Sequence, residues 1–339
     1  MKAVIFLASV VLCLHLGTCI DPSLDLEWEN WKIKHKKPTN RADDQQRREI
    51  WEKNYGVIES HNKRYREGKE TYEMGMNRFG DLTTEEFVKL TKIRSKMSRM
   101  KLPRSTNVML SATDLRLAAS KLNVTSIDYR TMGYVTPVQD QGICGCCYAF
   151  SAAGALEAQW KKKTGTLITL SKQQLIDCST SEGNIGCTGG HPHLSYDYII
   201  KNGGIQAETT YPYAMQNQIC TADKSKIVAT LSDWKFLPIG DEQALQDALV
   251  TIGPVAVAVD GSTINFQFYR QGIFSDSKCN IWKLSHATVL IGFGTEGSAN
   301  YWTIKNSWGP YWGENGYFRL AKNKGSMCGI SQYGVVPFV

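Results

Sequence analysis

Apolar and polar positions follow different rhythms along the 339 residues, and each rhythm predicts an element. From Cys147 to Thr164 the chain runs through Ala, Leu, Glu, Gln, Trp and Lys, mostly good helix formers. Gly165 follows as a C-terminal cap, and Lys161, Lys162 and Lys163 suit the negative end of the helix dipole. Helices are also predicted over Leu24 to Lys34, which carries Leu24, Leu26, Trp28, Trp31 and Ile33, and over Arg41 to Arg66. In the latter, Ile50, Trp51, Val57 and Ile58 form an apolar stripe on a highly charged segment. Thr83 and Glu86, just before Phe87, make a capping box, and Ser171 caps a short helix ending at Cys178. A two-residue rhythm over Thr71 to Leu82 reads as a strand with turns. Gly253 to Val259 and His286 to Gly294 are continuous apolar runs of buried-strand type, with Tyr301 to Lys305 at hairpin distance from the second. Residues 95–122, with Pro103 and many Ser, Lys and Arg, read as an extended linker.

Composition adds a globular core (42% hydrophobic, 10% aromatic) and a net charge of +7. A basic protein invites a nucleic-acid or anionic-membrane reading, and the location of the charge removes it. Residues 21–122 hold 22 Lys+Arg against 16 Asp+Glu, whereas residues 123–339 hold 16 of each. Lys2, the apolar run Ala3 to Leu14 and small residues near Gly17 to Cys19 read as a secretory signal over residues 1–20. That run is too short to span a bilayer, and no later stretch is apolar enough. A secretory route permits disulfides. Eight cysteines lie beyond the signal, and six of them pair in 15 ways, so sequence alone leaves connectivity open.

Three of those cysteines crowd into Gln141-Gly-Ile-Cys144-Gly145-Cys146-Cys147-Tyr148. Cys147 falls at a helix N-terminus, where the dipole favours thiolate and hence a nucleophile. A nucleophile needs a base, an orienting group and oxyanion donors. Beyond residue 122 the histidines are His191 and His193, in a loop after Gly189-Gly190, and His286, which begins a buried strand. The hairpin from His286 returns to Asn306-Ser-Trp308-Gly.

The stretch around Cys147, the spacing to His286 and Asn306, and the Asn-Ser-Trp-Gly motif resemble the papain-like cysteine proteases. So do Arg47, Trp51, Asn54, Ile58 and Asn62, with Asp43 where that helical motif has Glu, and Gly75, Asn77, Phe79 and Asp81 of a second motif. The resemblance covers nearly the whole chain and points to the cathepsin L group, nearest the S and K branch. It implies an α+β, two-lobed fold: a helical lobe over 123–235, a β-barrel-like lobe over 236–339, and a mostly helical inhibitory prosegment over 21–122 whose linker, 95–122, lies through the cleft backwards relative to a substrate. The mature peptidase would be 123–339. It implies Cys147 as nucleophile, His286 as base and acid, Asn306 as its orienter, and the Gln141 side chain with the Cys147 N–H as oxyanion donors. Gly145, Gly189, Gly190 and Trp308 would line the cleft, and His191, Pro192, Ala258, Leu284, Ala287 and Tyr333 the main specificity pocket. It implies the pairs Cys144–Cys187, Cys178–Cys220 and Cys279–Cys328, which leaves Cys146 over.

The expected activity is therefore that of an acid-activated lysosomal or secreted endopeptidase, monomeric and without cofactor or metal. Its partners would be peptide substrates, its own propeptide and cystatin-like inhibitors. Asn123-Val124-Thr125 is a glycosylation sequon. Two positions depart from the family pattern: Tyr148 replaces Trp, and Cys146 replaces Ser or Ala. Cys146 is either an inert buried thiol or a partner that resolves oxidised Cys147. Three other classes compete with the enzyme reading: a catalytically dead binding protein, a zinc module built from Cys144, Cys146, Cys147 and the His pair, and a structural disulfide-rich secreted protein.

Overall fold

The computed structural model describes residues 20–38, 42–91 and 108–339. The expected signal, apart from Ile20, and the expected linker up to residue 107 lie outside these.

Helices α1 (Asp25–Lys34) and α2 (Asp44–Arg66) meet on three buried tryptophans. Trp28, Trp31 and Trp51 pack with ring centroids 5.2 to 6.3 Å apart. The polar motif residues on α2 satisfy the backbone of the turn that follows, because buried N–H and C=O groups there have no ladder of their own. Asn54 Nδ2 donates to the carbonyls of Gly80 and Leu82 at 2.8 and 2.9 Å. Asn62 exchanges a pair of 2.9 Å bonds with Met74. Arg47 grips Glu86 with both guanidinium nitrogens and Asp43 with Nε, so aspartate serves at the position where the motif has Glu.

Of the strand expected over Thr71 to Leu82, only β1 (Tyr72–Met74) forms. Beyond it the chain turns on Asn77, whose Oδ1 accepts the Phe79 N–H at 2.9 Å. The predicted capping box starts α3 (Thr84–Leu90) with bonds of 3.1 and 3.0 Å. The expected linker is not extended throughout: Ser111 caps a helix, α4 (Ala112–Ser120), which buries Leu115 and packs on α8 (Glu242–Thr251). Its sequence offers little periodicity because the partner helix supplies the packing.

In the C-terminal body the helices are α5 (Cys147–Thr164), α6 (Lys172–Cys178), α7 (Pro192–Asn202), α8 and the single turn α9 (Ile264–Gln267). β2 (Ile127–Asp128), β5 (Asp233–Phe236), β6 (Val255–Val259), β7 (Tyr269–Phe274), β8 (His286–Glu296), β9 (Ala299–Lys305), β10 (Tyr317–Ala321) and β11 (Gly334–Phe338) join one sheet with β1. A separate two-stranded sheet pairs β3 (Ile205–Gln206) with β4 (Ile227–Ala229). The large sheet runs β1-β7-β10-β9-β8-β6-β11-β5, with β2 added to β8. Its end strands β1 and β5 do not pair among the described residues, so the expected barrel-like sheet stays open, one edge taken by the prosegment. The division at residue 236 is not clean either. Asp128 pairs with Gly292 of β8, Phe236 pairs with Val335 of β11, and α8 places a helix in the sheet half. Three disulfides join Cys144–Cys187, Cys178–Cys220 and Cys279–Cys328.

Candidate active site

Cys146 takes the N-cap position of α5 and Cys147 its first helical position. The turn before them is held by Gly142 at φ +58°, by the Cys144–Cys187 bridge, and by the Gly145 N–H, which donates to the Cys187 carbonyl at 2.9 Å. Cys147 is half-buried. Burial pushes its thiol above the ordinary value, while the backbone N–H groups of Ala287, Tyr148 and Cys147 itself pull it down.

His286 begins β8 and is fully buried. Its Nε2 lies 2.7 Å from Asn306 Oδ1, which also accepts the Ser307 N–H at 2.8 Å. A backbone N–H only donates, so that atom is the amide oxygen and His286 Nε2 carries the proton. Nδ1 is then the lone-pair nitrogen, and it is buried with no hydrogen-bond partner. The next residue, Ala287, directs its N–H toward the Cys147 sulfur, so the start of β8 lies against the start of α5. Burial holds the imidazole down to about 4, against the Asn306 bond. Trp308 stacks on the His286 ring, centroids 4.6 Å apart, and covers the pair from water. Two prosegment rings close over Trp308 edge-on: Phe79 at 6.0 Å and Phe87 at 5.3 Å.

Gln141 is fully buried and spans the cleft. Its Nε2 donates to the Cys144 carbonyl at 2.9 Å and its Oε1 accepts the Ser307 hydroxyl at 2.6 Å. Gly189 has φ +127° with open space where a side chain would sit, whereas a Cβ on Gly190 would meet Asn184 Oδ1 at 2.2 Å. Ala258 and Ala287 face each other across β6 and β8, and Leu284 and Tyr333 are buried. Pro192 starts α7, so His191 and His193 straddle a helix start rather than sharing a loop, proline being suited to a first helical position. It is His193, not His191, that meets Tyr333, Nδ1 to hydroxyl at 3.2 Å.

Several contacts at the site go beyond those the sequence predicts. Asn184 accepts the His191 N–H at 2.8 Å and donates to two serines, fixing the Gly189-Gly190 loop. Tyr148 donates to the Gly186 carbonyl at 3.2 Å, a bond that Trp cannot place in the same way. Tyr213 donates to the Gln141 carbonyl at 2.7 Å, and the Cys146 sulfur lies 3.1 Å from the same hydroxyl. Tyr213 lies beside a tyrosine-proline pair and Ser307, which bonds Gln141, inside the Asn-Ser-Trp-Gly motif, whereas Asn184 carries no local signal. Cys146 is buried. The bridge from Cys144 to Cys187 removes the first ligand of the zinc reading, and no cluster among the described residues is placed to hold a metal ion.

Known proteins fit this geometry. Residues 123–338 match the family model of the papain family cysteine proteases, and residues 28–87 match that of the cathepsin propeptide inhibitor domain. Cathepsin K of Mus musculus is 43% identical over 93% of this chain and 93% of its own length. Cathepsin S of Mus musculus is 42% identical over 94% of this chain and 91% of its own. The structure of digestive procathepsin L2 proteinase from Tenebrio molitor larval midgut superposes with a TM-score of 0.84 at 36% identity, covering 93% of this chain and 99% of that one. No helix among the described residues is long and apolar enough to cross a membrane. The chain belongs to the papain family of cysteine proteases and is a zymogen, its peptidase domain preceded by a cathepsin-type propeptide inhibitor domain.

Proposed function

We propose that the chain matures from a precursor with a signal over 1–20 and an inhibitory propeptide over 21–122 to a peptidase over 123–339. That peptidase cleaves peptide bonds through a Cys147 thioester. The observation that carries the reading is the His286–Asn306 bond, which leaves Nδ1 as a buried lone-pair nitrogen free to accept a proton. His286 takes the Cys147 proton and later returns it to the leaving amine. Asn306 orients the ring without adding charge, and Trp308 shields that bond. Gln141 Nε2 and the Cys147 N–H stabilise the oxyanion, each such donor being worth on the order of 3 kcal/mol. Gly145, Gly189 and Gly190 receive the substrate backbone as an added strand. Cleavage of a peptide library by matured protein, with Cys147→Ser as control, tests the reading.

The pocket of His191, Pro192, Ala258, Leu284, Ala287 and Tyr333 contains no carboxylate. It should therefore take an aliphatic or aromatic side chain two residues before the scissile bond. Leu or Phe is expected to exceed Arg there by about tenfold in kcat/KM. Equal or better cleavage with Arg in a peptide series would reject the pocket.

Maturation is expected to be acid-linked, which fits a lysosomal destination, with secretion as the second. His35 at the end of α1 supports this. Burial first, then Lys34, Lys37 and Arg78, hold its imidazole down to about 4, with Asp81 opposing. A histidine depressed in the docked state takes up its proton when the prosegment loosens. Docking therefore weakens as pH falls below 6.5 and is weakest below about 4. Glu86, held low chiefly by Arg47 within the prosegment, stabilises the prosegment's own fold above about 4.5 and loses that contribution below it. Processing followed from pH 7 to 3.5 should accelerate through this window, and His35→Gln should move the onset downward. Equal rates at pH 7 and 4 would refute acid linkage. The mature enzyme is taken as a monomer open to cystatin-like inhibitors, and exposed Asn123 as the glycosylation candidate.

A further inference from the structure

Arg78 sits in the prosegment turn between Asn77 and Phe79. Its guanidinium meets the Asp140 carboxylate fork to fork: Nη2 donates to Oδ1 at 2.8 Å, and Nη1 donates to Oδ2. Asp140 immediately precedes Gln141, and its Oδ1 also accepts the Gly142 N–H at 2.8 Å. Its backbone bridges to Trp308. These residues border an open cavity of about 430 Å³ with two walls. One wall belongs to the prosegment and holds His35, Arg78 and Phe79. The other belongs to the peptidase domain: Asp140, Trp308, Gly309, Pro310, Tyr311 and Trp312.

The first wall leaves with the prosegment. What remains is a trough with aromatic sides and one carboxylate, with no cation among its lining residues. Tyr311 is already 90% exposed there. A carboxylate beside aromatic faces is a receptor for a planar cation, which gains charge-assisted bonds and a face-on ring contact together. Gly189, Gly190 and the specificity pocket share no residue with this trough. We propose that Asp140, flanked by Trp308 and Tyr311, is a subsite for an arginine or lysine side chain of the substrate on the leaving-group side of the scissile bond, and that Arg78 occupies it in the zymogen. The proposal rests on the protease reading above and names part of its substrate class. Arginine outranks lysine because only the guanidinium engages both carboxylate oxygens.

The test uses the mature enzyme and peptides with one constant acyl half. The first three positions after the scissile bond are varied in turn among Arg, Lys, Ala and Glu. At one position kcat/KM should fall in the order Arg, Lys, Ala, Glu, with Arg over Ala by about fivefold, the range of a half-exposed ion pair. That ratio should shrink with added salt. Asp140→Asn keeps the acceptor for the Gly142 N–H and should bring the ratio to about one, whatever its rate on the Ala peptide. Cleavage of Ala peptides with no preference among the four at any position would overturn the subsite and leave the protease reading standing. Retention of the Arg preference in Asp140→Asn would also overturn it, since another group would then be the receptor. If no peptide is cut, the subsite and the protease reading fall together.

Discussion

Cys147→Ser is expected to lower kcat/KM on a good peptide substrate by at least about 10⁴-fold, the scale seen when the nucleophile of a cooperating catalytic set is removed. Serine is close in size and sits at a helix start that tolerates it well, so the fold and the three disulfides should persist, and the melting temperature should move little. The loss then belongs to chemistry: a serine hydroxyl beside His286 lacks the acidity that makes the thiolate accessible. Alkylation supplies a second measurement. One equivalent of iodoacetamide per mature chain should abolish activity, because Cys146 is buried and the other six cysteines beyond residue 122 are bridged. Full activity after stoichiometric labelling would assign the reaction to another residue, whereas no activity in matured, unlabelled protein would restore the binding-protein reading.

In the zymogen the same thiol should be nearly inert at acid and neutral pH. Burial raises the Cys147 thiol above its ordinary value and lowers His286 to about 4, so at neutral pH both groups are neutral. The alkylation rate of the unprocessed wild-type chain should climb steadily with pH, with no plateau on the acid side. After the prosegment leaves, Trp308 loses the cover of Phe79 and Phe87. Water then reaches the pair, the ionised form costs less, and a plateau should emerge at lower pH. An acid-side plateau already present in the zymogen would show that the docked prosegment does not control the protonation of the pair.

Local chemistry explains which parts were legible in the sequence. The cap at Thr83 with Glu86, the cap at Ser171 and the start of α5 at Cys147 all formed as read, because capping depends on residues within three or four positions. β6 and β8 followed from continuous apolar runs, and β9 from its hairpin distance to β8. Helix α4 was missed because its stability comes from α8 and not from its own periodicity. At the site, His286 and Asn306 were found through motif and spacing. The bond between Ser307 and Gln141 spans 166 residues, and that between His193 and Tyr333 spans 140, separations at which no local pattern operates. The open sheet likewise depends on β1 and β5, far apart in sequence, taking its two edges.

Strand β1 has an implication for the peptidase's later life. It lies antiparallel on β7, with Tyr72 opposite Gly272, and the Thr71 carbonyl accepts the Ile273 N–H at 2.9 Å. The other side of β7 is joined to β10. Folding thus proceeds with this flank already templated, and proteolysis later opens a row of amide and carbonyl groups that the nascent domain never had to guard. Exposed Arg270 and Gln271, freed from Glu73, then stand along that margin as charged and polar gatekeepers against end-on stacking of a second sheet.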